Sequence, residues 1–490
     1  MHRKRLLCND LHVLLLFEEI SEKIIEMIGV IEHFQVSLWS KVREVIVNEY
    51  VITTDRIPEE FYKEILQNEK QKKEWQDLGF DIPKTKEELK YKKLPIDTKY
   101  FRQEFKEKLL EKLTENADLD DLLDGLLIKS ENWQALNLLL EKYKDKVQTI
   151  YIDPPFNKEQ DADYLYNVKY KNSAWFSLLE NRLRLARDLL SDKGCIFVRC
   201  DYNGNWLVRP LMNEIFGEES FKNEIILNRS GIQKEAKNKF LVATDSLFLY
   251  AKQNKWKPNE LYETRETDWL EFVHYPGERK KNRERVVFGY KLLPPKGRHW
   301  GIDQELIDSW VKKRWIRFKC KRCGYEHYEG NWVGCPQCNC SEFIPQVKNP
   351  PKKVDSNWTN IPSYSQDPTF PTRNAEELLK RVIESTSNEG DLVMDFFLGS
   401  GTTTAVAHKL RRKWIGIEMG EHFWTVVLPR MKKVLAYDKS GISKEKDVKE
   451  KYNEKTAGGF FEYQVVEQYE DALGNFELGK YIGHQAVEPI

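Results

Sequence analysis

The chain has 490 residues, 40% of them hydrophobic, and its 78 Lys and Arg balance 78 Asp and Glu. That length predicts two to four domains with real cores, and a neutral total gives no reason by itself to expect a polyanionic partner. The apolar run at 11–17 is too short for a bilayer and Glu18 and Glu19 follow at once, which excludes a membrane span or export signal there and points to a cytoplasmic chain whose eight cysteines suit metal before disulfides.

In chain order, residues 1–100 alternate apolar and charged residues at helical spacing and predict a helical accessory region. Val13, Leu16, Phe17, Ile20, Ile24 and Met27 form one apolar stripe, and 59–75 reads as a solvated helix. The helical pattern continues over 101–144. Val147–Ile152 is a short β-rich run that ends directly in Asp153, Pro154, Pro155 and Phe156. An arginine-bearing helix at 174–190 and a second strand at 195–199 follow. Strand, helix and strand at this spacing predict a parallel α/β sheet, which binds ligands at the carboxyl ends of its strands. Residues 255–365 break the rhythm. They are rich in Trp, Pro, Lys and Arg, and read as an inserted module. From Arg279 to Lys353 there are 18 Lys and Arg against 7 Asp and Glu, a local excess of eleven positive charges suited to a polyanion. The α/β pattern resumes with a helix at 375–385, a strand at 391–395, a loop, a helix at 402–410 and a strand at 414–418. From Lys439 the tail is charged, then rich in Gly and Tyr, and has no assigned role.

Three clusters carry chemistry. Phe397, Leu398, Gly399, Ser400, Gly401 and Thr402 follow a strand ending in Asp395 and open a helix. Glycines there let backbone approach a ligand, and helix N–H groups favour polar ligand atoms. Glu418 ends the next strand, 23 residues after Asp395, where an acid accepts hydrogen bonds from ribose hydroxyls. The pattern predicts a nucleoside cofactor. A structural turn is the alternative, and Thr404 stands where a dinucleotide fingerprint needs its third glycine.

In the second cluster, the two prolines can simply end a strand. They also make a rigid loop that sets one carboxylate beside one aromatic ring. The amino nitrogen of adenine is a poor nucleophile because its lone pair is delocalised into the ring. A carboxylate oxygen and a backbone carbonyl can accept its two N–H hydrogens, draw the nitrogen toward tetrahedral geometry and free the lone pair. Asp153 and the Pro154 carbonyl are the expected acceptors, and Phe156 is the expected stacking face for a base taken out of the helix. The third cluster is Cys320-x2-Cys323 and Cys335-x2-Cys338, eleven residues apart. This spacing predicts a zinc ribbon with a structural Zn2+, with Cys340 and His327 as alternate ligands and redox chemistry or chance clustering as rival readings. Residues 474–480 nearly spell a phosphate loop, but Tyr481 stands in place of the magnesium-binding hydroxyl and no strand precedes it, so no ATP site is expected.

Asp153-Pro154-Pro155-Phe156 together with Phe397-x-Gly399-x-Gly401 resembles the amino-group DNA methyltransferases. The catalytic motif comes first, with Phe397 244 residues after Asp153, and that order is similar to the circularly permuted β group. The segments 161–166, Trp175, 182–186, 214–217 and 370–379 are similar to the modification subunits of Type III restriction systems. The resemblance covers 95–250 and 358–435. It implies a Rossmann-like methyltransferase domain with a mostly parallel sheet. It also implies S-adenosylmethionine held by Asp395, Phe397, Gly399, Gly401, Thr402 and Glu418. Ser130, Glu131 and Asn132 would lie near the methionine end, with Glu131 in place of the more usual Asp. Asp rather than Ser at position 153 favours the N6 amino group of adenine, and cytosine N4 is the alternative. The implied substrate is double-stranded DNA. A separate restriction subunit with helicase and nuclease activity would supply cleavage, for which this chain shows no motif, and a homodimer stays open. The expected division is a helical accessory region (1–100), a catalytic half (101–254), an inserted target-recognition module with zinc ribbon (255–365), a cofactor half (366–438) and a tail (439–490). Rival functions are methylation of RNA, methylation of a protein glutamine, which goes with Asn-Pro-Pro-Tyr instead, and a DNA-binding specificity module with a silent core.

Overall fold

The computed structural model describes residues 20–29, 44–155, 172–229, 240–263, 269–272, 274–278, 284–348, 352–365, 370 and 372–467. Phe156, the segment 161–166 and the phosphate-loop look-alike at 474–481 lie outside the described residues. The chain divides into two units, Met1–Asn259 with Ser356–Ile490, and Glu260–Asp355. Among the described residues no helix is long and apolar enough to cross a membrane.

The first unit is built on an eleven-stranded sheet. Its strands in chain order are β1 (Val45–Thr53), β2 (Pro95–Asp97), β3 (Gly125–Lys129), β4 (Val147–Ile152), β5 (Leu190–Cys200), β6 (Phe221–Asn228), β7 (Thr244–Ala251), β8 (Asn357–Trp358), β9 (Leu392–Asp395), β10 (Lys413–Glu418) and β11 (Phe460–Val466). Their order across the sheet is β8-β6-β7-β5-β4-β9-β10-β3-β11-β1-β2. The run from β5 to β11 is parallel throughout, it is flanked by antiparallel pairs on both sides, and the edge strand β8 pairs parallel with β6. Central parallel strands are covered on both faces, so they read as continuous apolar runs. Ile150, Tyr151, Ile152, Val393 and Met394 are accordingly buried. Helices α1 (Asn132–Tyr143), α2 (Asn172–Leu189) and α3 (Asn205–Phe216) add Ala135, Leu136, Leu179, Leu183, Val208 and Met212 to the core around β4 and β5. Farther along lie α4 (Glu376–Thr386), α5 (Thr402–Lys409) and α6 (Leu428–Leu435).

The pairing of β9 with β4 carries the functional consequence. Val393 lies opposite Thr149 and Met394 opposite Ile150, so two motifs 244 residues apart leave the sheet side by side at one end.

Several elements differ from expectation. The stretch expected to stay helical over 101–144 contains β3, whose five residues are all buried. A short run of leucines is helix-like by propensity, and only its place between β10 and β11 makes it a strand. The helical accessory region also supplies β1 and β2, and the tail left without a role supplies β11, so segments near both ends of the described chain extend the sheet. Residues 59–75 are not a solvated helix. They form short pieces that bury Tyr62, Ile65 and Trp75, and Trp75 Nε1 donates to the Pro95 carbonyl at 2.7 Å. The stripe residues Ile20, Ile24 and Met27 lie on a helical stretch and are half or more exposed.

The second unit is shorter than the expected insert, because Asn357 and Trp358 pair with β6 in the body. It holds a four-stranded antiparallel sheet in the order Glu326–His327, Ile316–Cys320, Phe343–Lys348 and Trp269–Glu271. Phe272, Val287, Ile307, Ile316, Phe318 and Val347 give it a core of its own. Trp300 and Trp332 belong to that core, and Trp315 is half-buried, so the tryptophans are mainly packing residues.

Candidate functional site

A cleft of about 1130 Å³ of empty space, part of it open to solvent, sits at the carboxyl ends of β3, β4, β9 and β10. It is lined by Ser130, Glu131 and Asn132 after β3, by Asp153, Pro154 and Pro155 after β4, by Phe396, Phe397, Leu398, Gly399, Ser400, Thr402 and Thr403 after β9, and by Glu418 and Met419 at the end of β10. Of the expected cofactor residues Phe397, Gly399, Thr402, Glu418 and Asn132 therefore share one cavity with Asp153, Pro154 and Pro155, while Asp395 and Gly401 do not line it.

The loop after β9 is shaped by two glycines. Gly399 and Gly401 have φ of +56° and +79°, conformations that side chains rarely adopt. The Gly399 amide donates to Glu418 Oε2 at 2.8 Å, and the Gly420 amide donates to Glu418 Oε1 at 2.8 Å. Glu418 is thus fixed at the cleft edge by backbone. Asp395 is buried beneath the loop, where it accepts from the Phe397 amide at 2.9 Å and from Thr403 Oγ1 at 2.6 Å. Burial pushes its carboxyl up to about 7, against the pull of those two donors. Arg430 on α6 ties the loop from below, donating to the Ser400 carbonyl at 3.2 Å and to Thr402 Oγ1 at 2.7 Å while pairing with Glu376 at 2.9 Å. Asn132 is held from two sides. Its amide donates to the Phe396 carbonyl at 3.0 Å and its oxygen accepts from Arg182 Nε at 2.7 Å, so it braces the loop as well as lining the cleft. Arg182 also pairs with Glu131.

On the other side, Trp175 Nε1 donates to the Pro155 carbonyl at 2.8 Å and pins the proline loop to α2. Nothing among the described residues donates to the Pro154 carbonyl. Asp153 Oδ2 accepts from Asn374 Nδ2 at 3.1 Å and lies 3.8 Å from Arg199 Nη1. Burial raises the Asp153 carboxyl above its ordinary value. The Arg199 charge and the Asn374 hydrogen bond oppose this, while Asp245 and Asp201 add to it. Tyr364, Phe370, Thr372 and Asn374 also line the cleft and were given no role from sequence. The segment 370–379 had been noted only for its resemblance.

The second unit assembles the four expected cysteines. The sulfurs of Cys320, Cys323, Cys335 and Cys338 all lie within 4.8 Å of one another, with Cys320 and Cys338 at 3.6 Å and Cys323 and Cys335 at 3.4 Å. A tetrahedron of 2.3 Å metal–sulfur bonds has S···S edges of about 3.8 Å, so the donor set fits one ion with no open position. Cys340 Sγ turns to the Glu342 carbonyl at 3.8 Å and His327 Nε2 to the Gly330 carbonyl at 3.1 Å, outside the thiol group.

Residues 147–428 match a family model described as DNA methylase (N6_N4_Mtase). The chain is 29% identical over 388 residues to a probable type III restriction-modification enzyme HindVI Mod subunit from Haemophilus influenzae, covering 66% of this chain and 52% of that protein. It is 28% identical over 329 residues to the type II methyltransferase M.EcaI from Enterobacter cloacae, covering 61% of this chain and 67% of that one. Among solved structures it is similar to the M1.HpyAVI–SAM complex, with 17% identity, coverage of 63% and 98%, and a TM-score of 0.34. The chain spans about half the length of several of the curated relatives it matches.

Proposed function

The chain belongs to the DNA methylase family, whose model takes in more than half of its residues, and from that premise we propose that it moves a methyl group from S-adenosylmethionine to the N6 amino group of adenine in double-stranded DNA, as the modification component of a restriction-modification system. The observation that carries this reading is the placement of Asp153 and the glycine loop in one cleft by the pairing of β4 with β9. The cleft has the donors and space that a nucleoside cofactor needs. Glu418 is set to accept from ribose hydroxyls, the N-terminus of α5 and the chain at Gly399 line the cleft, and Ser130–Asn132 border it after β3.

The bound cofactor supplies the electrophilic methyl group. Asp153 and the Pro154 carbonyl would accept the two amino hydrogens of the target base and so free the nitrogen lone pair for the methyl group, whose bonding pair to sulfur would stay with the cofactor. The surplus amino proton leaves through the same acceptors to water. No covalent enzyme intermediate is needed, so the rate depends mostly on positioning. Aspartate at position 153 favours adenine. The second unit, with its local excess of positive charge, is the proposed DNA-reading module, and Zn2+ on the four cysteines is its proposed structural ion. A separate restriction subunit is the proposed partner, by analogy with the relatives named as Mod subunits.

The test is transfer of labelled methyl from S-adenosylmethionine to duplex DNA, followed by nucleoside analysis. N6-methyladenine is expected. N4-methylcytosine would overturn the choice of base, and label in RNA or protein alone would overturn the substrate class. Asp153→Ala should keep cofactor affinity and lose kcat on the order of a hundredfold or more, as when one hydrogen bond aimed at a transition state is removed.

A further inference from the structure

Behind Asp153 lies a buried polar chain that the methyl-transfer reading does not use. Arg199, at the end of β5, is completely buried, and its Nη2 pairs with the equally buried Asp245 of β7 at 2.8 Å. Its guanidinium carbon lies 4.1 Å from the centre of the Tyr364 ring. Its Nη1 donates to Asn374 Oδ1 at 2.5 Å, and Asn374 Nδ2 donates onward to Asp153 Oδ2 at 3.1 Å. The polarity of this chain is fixed by chemistry. A guanidinium has only donors, so the amide oxygen of Asn374 must face Arg199 and its nitrogen must face Asp153. Oδ2 of Asp153 is therefore always an acceptor. Oδ1 meets no donor among the described residues.

We propose that Asn374 and Arg199 are positioning residues for Asp153: they hold Oδ2 from behind and leave Oδ1 as the atom that accepts a hydrogen from the target amino group. The proposal rests on the reading of Asp153 as that acceptor. With Oδ2 occupied by a donor, any proton taken up by Asp153 must sit on Oδ1. There it would turn the one useful acceptor into a donor. Burial favours that protonation, as do the charges of Asp245, Asp201 and Asp395 around it, while Arg199 and Asn374 oppose it; Tyr151 and Tyr364 face the same carboxyl. The relay thus sets both the direction and the charge of the reactive oxygen. Arg199 is an interior cation that would be costly to hold unless paired, and the pairings it has lead on one side to Asp245 and on the other to Asp153.

The sign of the pH effect follows. Turnover needs the carboxylate, so kcat falls as pH drops through the Asp153 titration. Removing the Asn374 donor moves that titration upward. In Asn374→Ala, kcat at neutral pH should fall roughly tenfold and the acid limb of the kcat profile should move up by about one pH unit. The cofactor Kd and the KM for DNA should stay within about twofold of the parent, since the lost bond acts on the reacting carboxylate. Asn374→Asp keeps the bond to Arg199 but puts a like charge beside Asp153, so its limb should move further in the same direction. A merely structural role would lower kcat evenly at every pH. An acid limb that stays in place in both variants, or one that moves down in Asn374→Asp, overturns the relay. Parent protein and Asp153→Ala are measured alongside. If the parent transfers no methyl to DNA, the proposed function falls and the relay with it. If the parent is active, Asp153→Ala is dead and the limb is unmoved, only the relay falls.

Discussion

Gly399 shows what single residues contribute to the cleft. Its φ of +56° is one that L side chains rarely adopt, yet the space beside it is open, because an ideal Cβ would meet only Phe370 Cζ at 3.9 Å. The requirement for glycine comes from backbone conformation and from the ligand, not from packing. Gly399→Asp would add a carboxylate next to Glu418 and the cofactor path. Cofactor affinity measured by calorimetry should fall at least about tenfold, while thermal unfolding changes little beyond the roughly 1 kcal/mol of left-handed strain. Unchanged affinity would sink the assignment of this loop. At this scale Asp153, Gly399, Gly401 and Glu418 were legible in the sequence because each ends or follows a strand in a short local pattern. Asn374 and Arg199 were not. They lie 175 residues apart, each looks like an ordinary polar residue at an element end, and only the tertiary approach of three segments gives them a partner.

Among the elements, β3 is one whose sequence misleads, and its first residue is tightly packed. Gly125 pairs with Trp414 on β10 and with Phe461 on β11, and the two rings sit 5.4 Å apart across it. A Cβ at Gly125 would come within 2.2 Å of the Trp414 indole, a fully buried side chain. Gly125→Ala should therefore destabilise the body by about 1–3 kcal/mol, the usual cost of overpacking, read as a lower denaturation midpoint. A stability equal to that of the parent would mean the indole has room that the packing does not suggest. Strands β4, β5, β9 and β10 were legible because β-branched runs between turn residues announce them. β3, β1, β2 and β11 were not, since their strand character depends on neighbours far away in sequence. The four-cysteine cluster was legible from spacing alone, because two Cys-x2-Cys turns impose their own geometry. That the surrounding tryptophans pack inward rather than face a ligand was not.

For the molecule as a whole, the second unit has a core of its own that includes Cys320 and Cys335 of the thiol cluster, so loss of the proposed metal should be felt there first. Cys320→Ser with Cys323→Ser should remove zinc from the purified protein and weaken DNA binding, leaving cofactor affinity in the first unit unchanged. Zinc-free parent protein purified without chelator would remove the premise, and undiminished DNA binding by a zinc-free variant would assign the ribbon another task. The wider consequence lies in β11, the strand that joins β3 to β1. Val45 is paired with Val466, so the sheet joins residues from near opposite ends of the described chain. A ribosome delivers these segments one after the other. Until Phe460–Val466 emerges, the apolar strand β3 has an open edge and β1 has no long partner, which leaves an unfinished template for association with other chains. Long-range pairing of this kind is also slow to close. The first unit should thus become native well after the cysteine-bearing unit has all of its own residues in hand. A message broken or stalled before the β11 codons would yield a polypeptide that cannot complete its central sheet.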